Sequence, residues 1–533
     1  MSFCNRAFLP VVAIFGLAFL VGCGGSSTHT PVSPPTGGFS NSNLNGTYTF
    51  SVAGFDILVN GSPSTFNMAG SLTACGCSGG TISAGTITLV DFSSSKPATS
   101  VALNSNSAYS ITKDGRGLAK LFFGAAPAAE VDLDFVLTSS SHGLVTRFDN
   151  GGAGSGTIDL QSSGVTLATT PYSFSISGTD GLSNPFAMAG SFTLDSSGNI
   201  TAGIVDTNSN GTVQTALSPL TGTVTPGSGT TPGTASFSIG SLTFDVYAID
   251  ATHLKLVETD DTEFTSGDAF SQGTDAIPSG NLVLSMAGLD LSGNPAAFGG
   301  IMASAGGTFS NGIADVNDNG LTDGVVNPSA PAPVNFSGTF VETPSGSGRW
   351  AVSFTGFPGG TAFAAYPSTG GVLMLEVDGG VAGAVTAGAA MAQTSGAAVA
   401  ASQGYGMNLT GFDVGNGVPL NQIAQFNTTS SGLSGLIDQV DFTISKPGTS
   451  NLVGNYTAPA SNGIGQVGFT NGQNFFYYPV DNSTILFLAS DGGEVSLGAF
   501  QTQSTPTSAA AQVVERQMAM VKAVKATRRR QVK

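Results

Sequence analysis

The chain is predicted to be all-β, built from four tandem, antiparallel, up-and-down barrel-like repeats of about 110 residues each, and three observations lead there. An alternating strand running into Gly-x-Asp recurs four times: Tyr48 to Asp56 (YTFSVAGFD), Tyr172 to Asp180 (YSFSISGTD), Leu282 to Asp290 (LVLSMAGLD) and Tyr405 to Asp413 (YGMNLTGFD). The aspartates are 124, 110 and 123 residues apart, the mark of a repeat array. Between these landmarks apolar and polar residues alternate with period two, as in Tyr172, Phe174 and Ile176 against Ser173, Ser175 and Ser177. Short segments rich in Gly, Asn, Asp and Pro separate the runs, as hairpin turns require. No helical pattern is long enough for a crossover, so the strands pair antiparallel. Lastly, about eight such strands fill each unit, and an open meander of that size leaves two raw edges that closure removes.

The elements follow in chain order. Arg6 precedes an apolar run, Ala7 to Val21, that is short for a bilayer span and right for a signal sequence, so 1–22 is read as a leader. The run ends in Leu20-Val21-Gly22-Cys23, which resembles the lipobox of bacterial lipoproteins. That resemblance implies a mature N-terminus at Cys23 carrying acyl chains, several of which make membrane attachment stable. Gly24, rather than Asp, after the cysteine leans by the same analogy toward the outer membrane. An ordinary secretory leader is the alternative. Residues 23–42, rich in Gly, Ser, Thr and Pro, read as the lipidated end and a linker.

The repeats are placed at 43–165, 166–275, 276–396 and 397–505. Each carries a second landmark, a small-residue strand: Met68-Ala69-Gly70-Ser71, Met188-Ala189-Gly190-Ser191, Phe298-Gly299-Gly300-Ile301, and in divergent form Ile423-Ala424-Gln425-Phe426. A third landmark is a closing glutamine, Gln161, Gln272, Gln393 and either Gln501 or Gln503. Units 1 and 4 share DFSSSKPATS (from Asp91) and DFTISKPGTS (from Asp441), whereas units 2 and 3 share DTNSNG (from Asp206) and DVNDNG (from Asp315). Asn45-Gly46-Thr47-Tyr48 is similar to the opening strand of lipocalin- and avidin-like barrels, which implies a lumen that is either filled by side chains or holds one small ligand. A β-sandwich of the immunoglobulin type is the alternative architecture; its Cys, Trp, Cys signature is absent. The repeats as a whole resemble those of bacterial repeat lipoproteins of unassigned function.

Candidate chemistry is sparse. Asp315, Asn317, Asn319 and Asp323, around the turn glycine Gly320, match positions 1, 3, 5 and 9 of a calcium loop, but Val326 stands where a bidentate Glu belongs. The equivalent stretch from Asp206 argues for a plain hairpin turn instead. Cys75 and Cys77 suit a local disulfide; as metal ligands they lack the two partners a structural zinc needs. Only His29, His142 and His253 occur, and no nucleophile elbow, zinc-peptidase helix or phosphate loop is present. Asp56, Asp180, Asp290 and Asp413 each end a strand beside turn residues, which favours turn capping over catalysis. Trp350 is the only tryptophan, few for a surface that stacks sugars.

Charge divides the chain. Seven basic residues stand against Glu515 in 508–533, a net +6 that leaves −23 for the rest of a chain whose total is −17. Such a body repels nucleic acid. The segment 506–533 reads as a short basic helix or tail suited to an anionic membrane or partner. The function expected is that of a lipid-anchored, extracytoplasmic, non-enzymatic protein of the cell envelope, at the outer membrane, with a binding, adhesion or structural role. Its membrane contact is the anchor, and its further partner would be a protein, glycan or small molecule. The alternatives are a carrier of a small hydrophobic ligand and a carbohydrate-active hydrolase. No cofactor is expected beyond the calcium considered above.

Overall fold

The structure is a computed structural model that describes residues 38–57, 63–91, 100–125, 128–260, 262–290, 294–322, 333–379, 385–441 and 448–503. Cys23, Asp323, the leader and the C-terminal helix expected in 506–533 lie outside the described residues.

Every described sheet is antiparallel, and within each unit spatial order follows chain order. In unit 4 eight strands, from Gly404–Asp413 to Glu494–Thr502, close on themselves. Units 2 and 3 close in the same way, first strand (Tyr172–Asp180, Gly280–Leu289) against last (Glu263–Ser271, Val385–Ala392). Their third strands, Asn199–Ser209 and Thr308–Asp318, are shared between two neighbours: the N-terminal part pairs with the next ring strand, the C-terminal part with a short extra strand, Thr212–Leu217 or Leu321–Thr322. In unit 4 the single strand Gly448–Tyr456 covers that whole length. Unit 1 is a nine-stranded sheet whose ends are joined by isolated bridges, Thr81 to Ala108 and Leu103 to Phe123, rather than by a ladder. The sandwich alternative therefore gives way to barrels, because the meanders of units 2, 3 and 4 spend their edges on their own closure and that of unit 1 curls the same way but is bridged at only two points.

Alternation decides what each barrel holds. The inward positions of the first strand of unit 2, Tyr172, Phe174 and Ile176, meet Phe192, Phe237 and Phe244 in one buried cluster with rings 5.2–5.8 Å apart. Unit 4 fills its lumen likewise with Tyr405, Phe426, Phe475, Phe487 and Phe500. These lumens are packed cores. Each has a floor, where the first strand begins, and a mouth, where that strand ends in its aspartate.

The register also corrects the alignment of unit 4. Phe50 pairs with Gly70, and the equivalent Met407 pairs with Ala424. The counterpart of Met68 to Ser71 is thus Gln422 to Gln425, one residue earlier than the sequence landmark suggests. Leu160, Ser271, Ala392 and Thr502 pair with the first residue of their landmark strands, so Gln503, not Gln501, is the fourth closing glutamine.

The four barrels close into a ring. The second strand of each unit packs across the last three strands of the next: Pro63–Cys75 on Thr243–Ala248, His253–Glu258 and Glu263–Ser271; Pro185–Leu194 on the matching strands of unit 3; Pro295–Ala305 on those of unit 4. Val418–Thr428 of unit 4 then packs on Ala129–Leu137, His142–Arg147 and Gly152–Leu160 of unit 1. One head-to-tail contact is used four times, and because its rotation closes, the assembly is finite rather than open-ended.

Candidate functional site

The recurring polar and small residues converge on the four seams of this ring. At each floor a glutamine reaches the same carbonyl of the next barrel: Gln161 Nε2 donates to Ala248 O (2.8 Å), Gln393 Nε2 to Pro479 O (2.8 Å) and Gln503 Nε2 to Leu137 O (3.1 Å). In unit 2 the link has an intermediary, Gln272 donating to Ser173 Oγ and Ser173 to Pro367 O. Leaving such a buried carbonyl unpaired would cost about 1–3 kcal/mol, which is why these glutamines matter beyond their single bonds.

Higher in the seam, a tyrosine of one barrel lies over a small residue of the barrel before it. Tyr247 packs with Ala69, and Tyr366 with Ala189. A side chain at Gly299 would meet the Tyr478 ring at 2.4 Å. Each hydroxyl then engages the strand beside the small residue: Tyr247 with Thr88 (2.7 Å), Tyr366 with Asp206, and Tyr478 with Asp315 (2.6 Å). The 4–1 seam exchanges the volumes, Ile423 replacing the small residue and Val136 the tyrosine, with Leu144 packed beside them. There Asp438, the counterpart of Asp206 and Asp315, pairs with Arg116 at 3.3 Å.

These seams account for the residues read as a calcium loop. Asp315 accepts from Tyr478; Asn317 donates to the carbonyls of Ala489, Asp491 and Glu494 in unit 4 and accepts from Gly320 N. Asn319 and Gly320 have φ of 50° and 84°, the left-handed pair of a tight hairpin, as do Asn210 and Gly211 at 51° and 82°. The structure thus brings Asp315 and Asn317 to an interface and Asn319 to a turn, while Asp323 lies outside the described residues. Cys75 and Cys77 are joined as a disulfide at the floor of unit 1. Asp180, Asp290 and Asp413 cap their turns, Asp180 accepting from Leu182 N and Asn184 N, Asp290 from Asn294 N, and Asp413 from Asn416 N.

Two further groups are made of ionisable side chains. Units 1, 2 and 4 meet at a buried polar junction. Lys255, fully enclosed, lies 2.9 Å from Asp159 Oδ2 and donates to Thr157; His142 bridges Asp159 (2.6 Å) and Gln501 (3.0 Å); His253 pairs with Asp268 (2.9 Å). Burial opposes ionisation of Asp159, but Lys255 and the two histidines overcome it and hold its carboxyl well below the usual range. The second group lines the mouths. Burial pushes Glu258 up to about 9, Glu494 to about 8 and Glu376 to about 7. Partial burial, with a second carboxyl nearby, raises half-buried Asp56 beside Asp91 to about 7 and half-buried Asp318 beside Asp290 to about 6. Among the described residues, the one cluster with metal-compatible spacing is Glu258, Asp260 and Glu263. Glu258 there already accepts from Glu263 N and Thr265 Oγ1.

Sequence reasoning missed the tyrosines, although the endings Tyr247-Ala248, Tyr366-Pro367 and Tyr478-Pro479 recur at one register. It also passed over Lys255, which nothing in its strand marks as buried. Open grooves follow the seams, one of about 290 Å³ between units 2 and 3 beside Gln272 and Gly348, another of about 330 Å³ between units 3 and 4 beside Asp315 and Asn462.

No family model matches the chain, and no curated relative matches it. Among solved structures it is similar to a putative AttH from Nitrosomonas europaea, at 10% identity and a TM-score of 0.18, covering 45% of this chain and 99% of that one. It is also similar to transferrin binding protein B from Haemophilus parasuis (8% identity, TM-score 0.16, 70% of this chain and 86% of that one). The corresponding protein of Neisseria meningitidis gives 10% identity and a TM-score of 0.17 over 68% and 83% of the two chains.

Proposed function

We propose that this chain is a lipid-anchored, non-enzymatic scaffold of the cell envelope, a ring of four barrels that presents its loops and seams to a binding partner. The observation that carries the reading is the use to which the repeated residues are put. The glutamines, tyrosines, small residues and strand aspartates that recur through the chain are committed to seams and turns, and the lumens to packing. A carrier needs a hollow lumen, which the stacked aromatics of units 2 and 4 fill. A glycoside hydrolase needs two carboxyls about 5–9.5 Å apart. The carboxyls at the mouths are instead taken up by their own turns and strands, Asp56 accepting from Ser64 Oγ and Asp290 from Asn294 N. Anchoring rests on the Leu20 to Cys23 motif. Cys23→Ala in the full chain, expressed in a diderm bacterium, should move the protein from the membrane to the soluble fraction. Unchanged fractionation would overturn the anchored reading.

A further inference from the structure

The disulfide at the floor of unit 1 belongs to no seam and has no counterpart in units 2, 3 or 4, since Cys75 and Cys77 are the only cysteines after Cys23. It encloses a single residue, Gly76. A disulfide stabilises by restricting the unfolded chain, more for longer loops, so so small a ring contributes least. The turn is held without it. Cys75 N donates to Thr81 O (3.1 Å), Gly80 N to Cys77 O (3.0 Å), and Gly76 N to Leu44 O (3.1 Å) and Tyr109 Oη (3.0 Å), while Asn41 Nδ2 donates to Ser78 O (2.9 Å). Units 2 and 3 make the equivalent turn with no sulfur: Asp195 accepts from Ser197 N and Asn199 N, and Thr308 Oγ1 donates to Ala305 O.

The two sulfurs differ in access. Cys77 is exposed, and so are Ser78 and Gly79 after it, whereas Cys75 is half-buried against the lumen cluster of unit 1. The neighbours of Cys77 in the turn are small, Gly76, Ser78, Gly79 and Gly80, and a side chain on Gly79 would meet nothing within 4 Å. An external thiol therefore reaches Cys77 Sγ unhindered by the turn itself. On the far side of the bond, Cys77 N donates to Cys75 Sγ at 3.1 Å, and the Tyr109 hydroxyl lies 3.9 Å from the same sulfur. Negative charge left on Cys75 meets a donor already in place, and hydrogen bonds to an ionised acceptor are stronger than neutral ones.

We propose that the Cys75–Cys77 disulfide is a thiol–disulfide exchange site, attacked at Cys77 by an external thiol, rather than a structural cross-link. The incoming thiolate forms a bond to Cys77 Sγ, the Cys75–Cys77 bond breaks, and its electron pair goes to Cys75 Sγ, leaving a mixed disulfide on Cys77 and a thiolate on Cys75. A second thiolate then attacks the outer sulfur of the mixed disulfide and frees Cys77. Two thiols are oxidised to one disulfide, the two cysteines are reduced, and the protons of the two thiols end on Cys75 and Cys77. The exchange is stoichiometric and independent of the anchored reading above. It leaves the fold intact, because the hydrogen bonds of the turn do not pass through sulfur.

The probe is reduced glutathione, added without denaturant to the full chain carrying Cys4→Ala and Cys23→Ala, so that no other thiol reports. Samples trapped with iodoacetamide are read by fragment-ion mass spectrometry. Glutathione should appear on Cys77 with the alkyl group on Cys75, followed by alkylation of both, and the thermal midpoint of the reduced protein should match that of the oxidised one. A disulfide that resists glutathione until urea is added, glutathione found on Cys75 instead, or a midpoint lowered by reduction would overturn the proposal. Single variants give a second readout. The lone thiol of Cys75→Ser, at Cys77, should react with a chromogenic aromatic disulfide on the order of tenfold faster than the lone thiol of Cys77→Ser. Equal rates or the reverse order would overturn Cys77 as the sulfur attacked.

Discussion

Gln503 does across the open join of the ring what Gln161 and Gln393 do between consecutive units, and it does so from more than 360 residues away. Its replacement by Ala leaves the carbonyls of Asp114 and Leu137 without their amide partner, so urea denaturation should show a loss of about 1–3 kcal/mol. No measurable loss would mean that the join contributes nothing. Volume matters as much as polarity in these seams. Gly299→Val should drive the Tyr478 ring away, at a cost of about 1–3 kcal/mol for overpacking. The same enlargement is native in unit 4, where Ile423 faces Val136 instead of a tyrosine. Val136→Tyr should therefore destabilise the 4–1 seam, and thermal unfolding unchanged by that substitution would contradict the volume exchange. The buried acids set a pH dependence. Glu258, Glu494 and Asp134 keep their protons to about 9, 8 and 8, against about 4 in an unfolded chain. The folded state holds more protons than the unfolded one throughout that interval, so stability is full below about pH 4 for these groups and falls as pH rises toward 9. Denaturation midpoints at pH 5, 7 and 9 should decline in that order, and Glu258→Gln should flatten the decline. A rising midpoint would contradict it.

At the scale of elements, the hairpins do two jobs. The Asn319-Gly320 turn closes two strands of unit 3 and also lies against unit 4, where a side chain on Gly320 would meet Gly492 O at 2.5 Å. Gly320→Ala should thus cost more than the roughly 1 kcal/mol of a left-handed strain alone. Equal losses for Gly320→Ala and for Gly306→Ala, a left-handed turn glycine whose added methyl would meet nothing, measured by thermal melting, would show that the turn does not touch the seam. The strands themselves were legible in the sequence, because alternation such as Tyr172-Ser173-Phe174 is imposed by a half-buried sheet. The landmarks were legible too, as signals without a cause. The small residues at 69, 189 and 299 make sense only once the tyrosines above them are seen, and those lie about 180 residues further along the chain. The unit 4 landmark was displaced by one residue for the same reason: its small-residue position had become Ile423, so composition pointed to Ala424 while strand register points elsewhere. The aspartate-asparagine turns read in the sequence as either turn or ion site, because seams and cations draw on the same oxygen-rich residues. Which of the two recruits Asp315 depends on Tyr478, in another unit.

The molecule as a whole is a ring, and closure changes what the repeats can do. Tandem barrels joined end to end would leave one head and one tail surface unused; here the tail surface of unit 4 covers the head surface of unit 1. Apolar burial is uneven around the ring. One continuous cluster joins units 2, 3 and 4, while small clusters hold the seams of unit 1. The polar junction of Lys255, Asp159 and His142 compensates on the unit 1 side. Unit 1 should therefore be the first to separate under denaturant, visible as faster amide exchange in strands His142–Arg147 and Gly152–Leu160 than in their unit 3 counterparts. Ring closure is tested most directly by a spin-label distance across the 4–1 seam, with labels on Ser140→Cys and Ser430→Cys, exposed floor-side turns of units 1 and 4. A single narrow, short distance that broadens and lengthens in Gln503→Ala is the predicted result. A broad, long distribution in the otherwise native chain would mean that the four barrels form an open string.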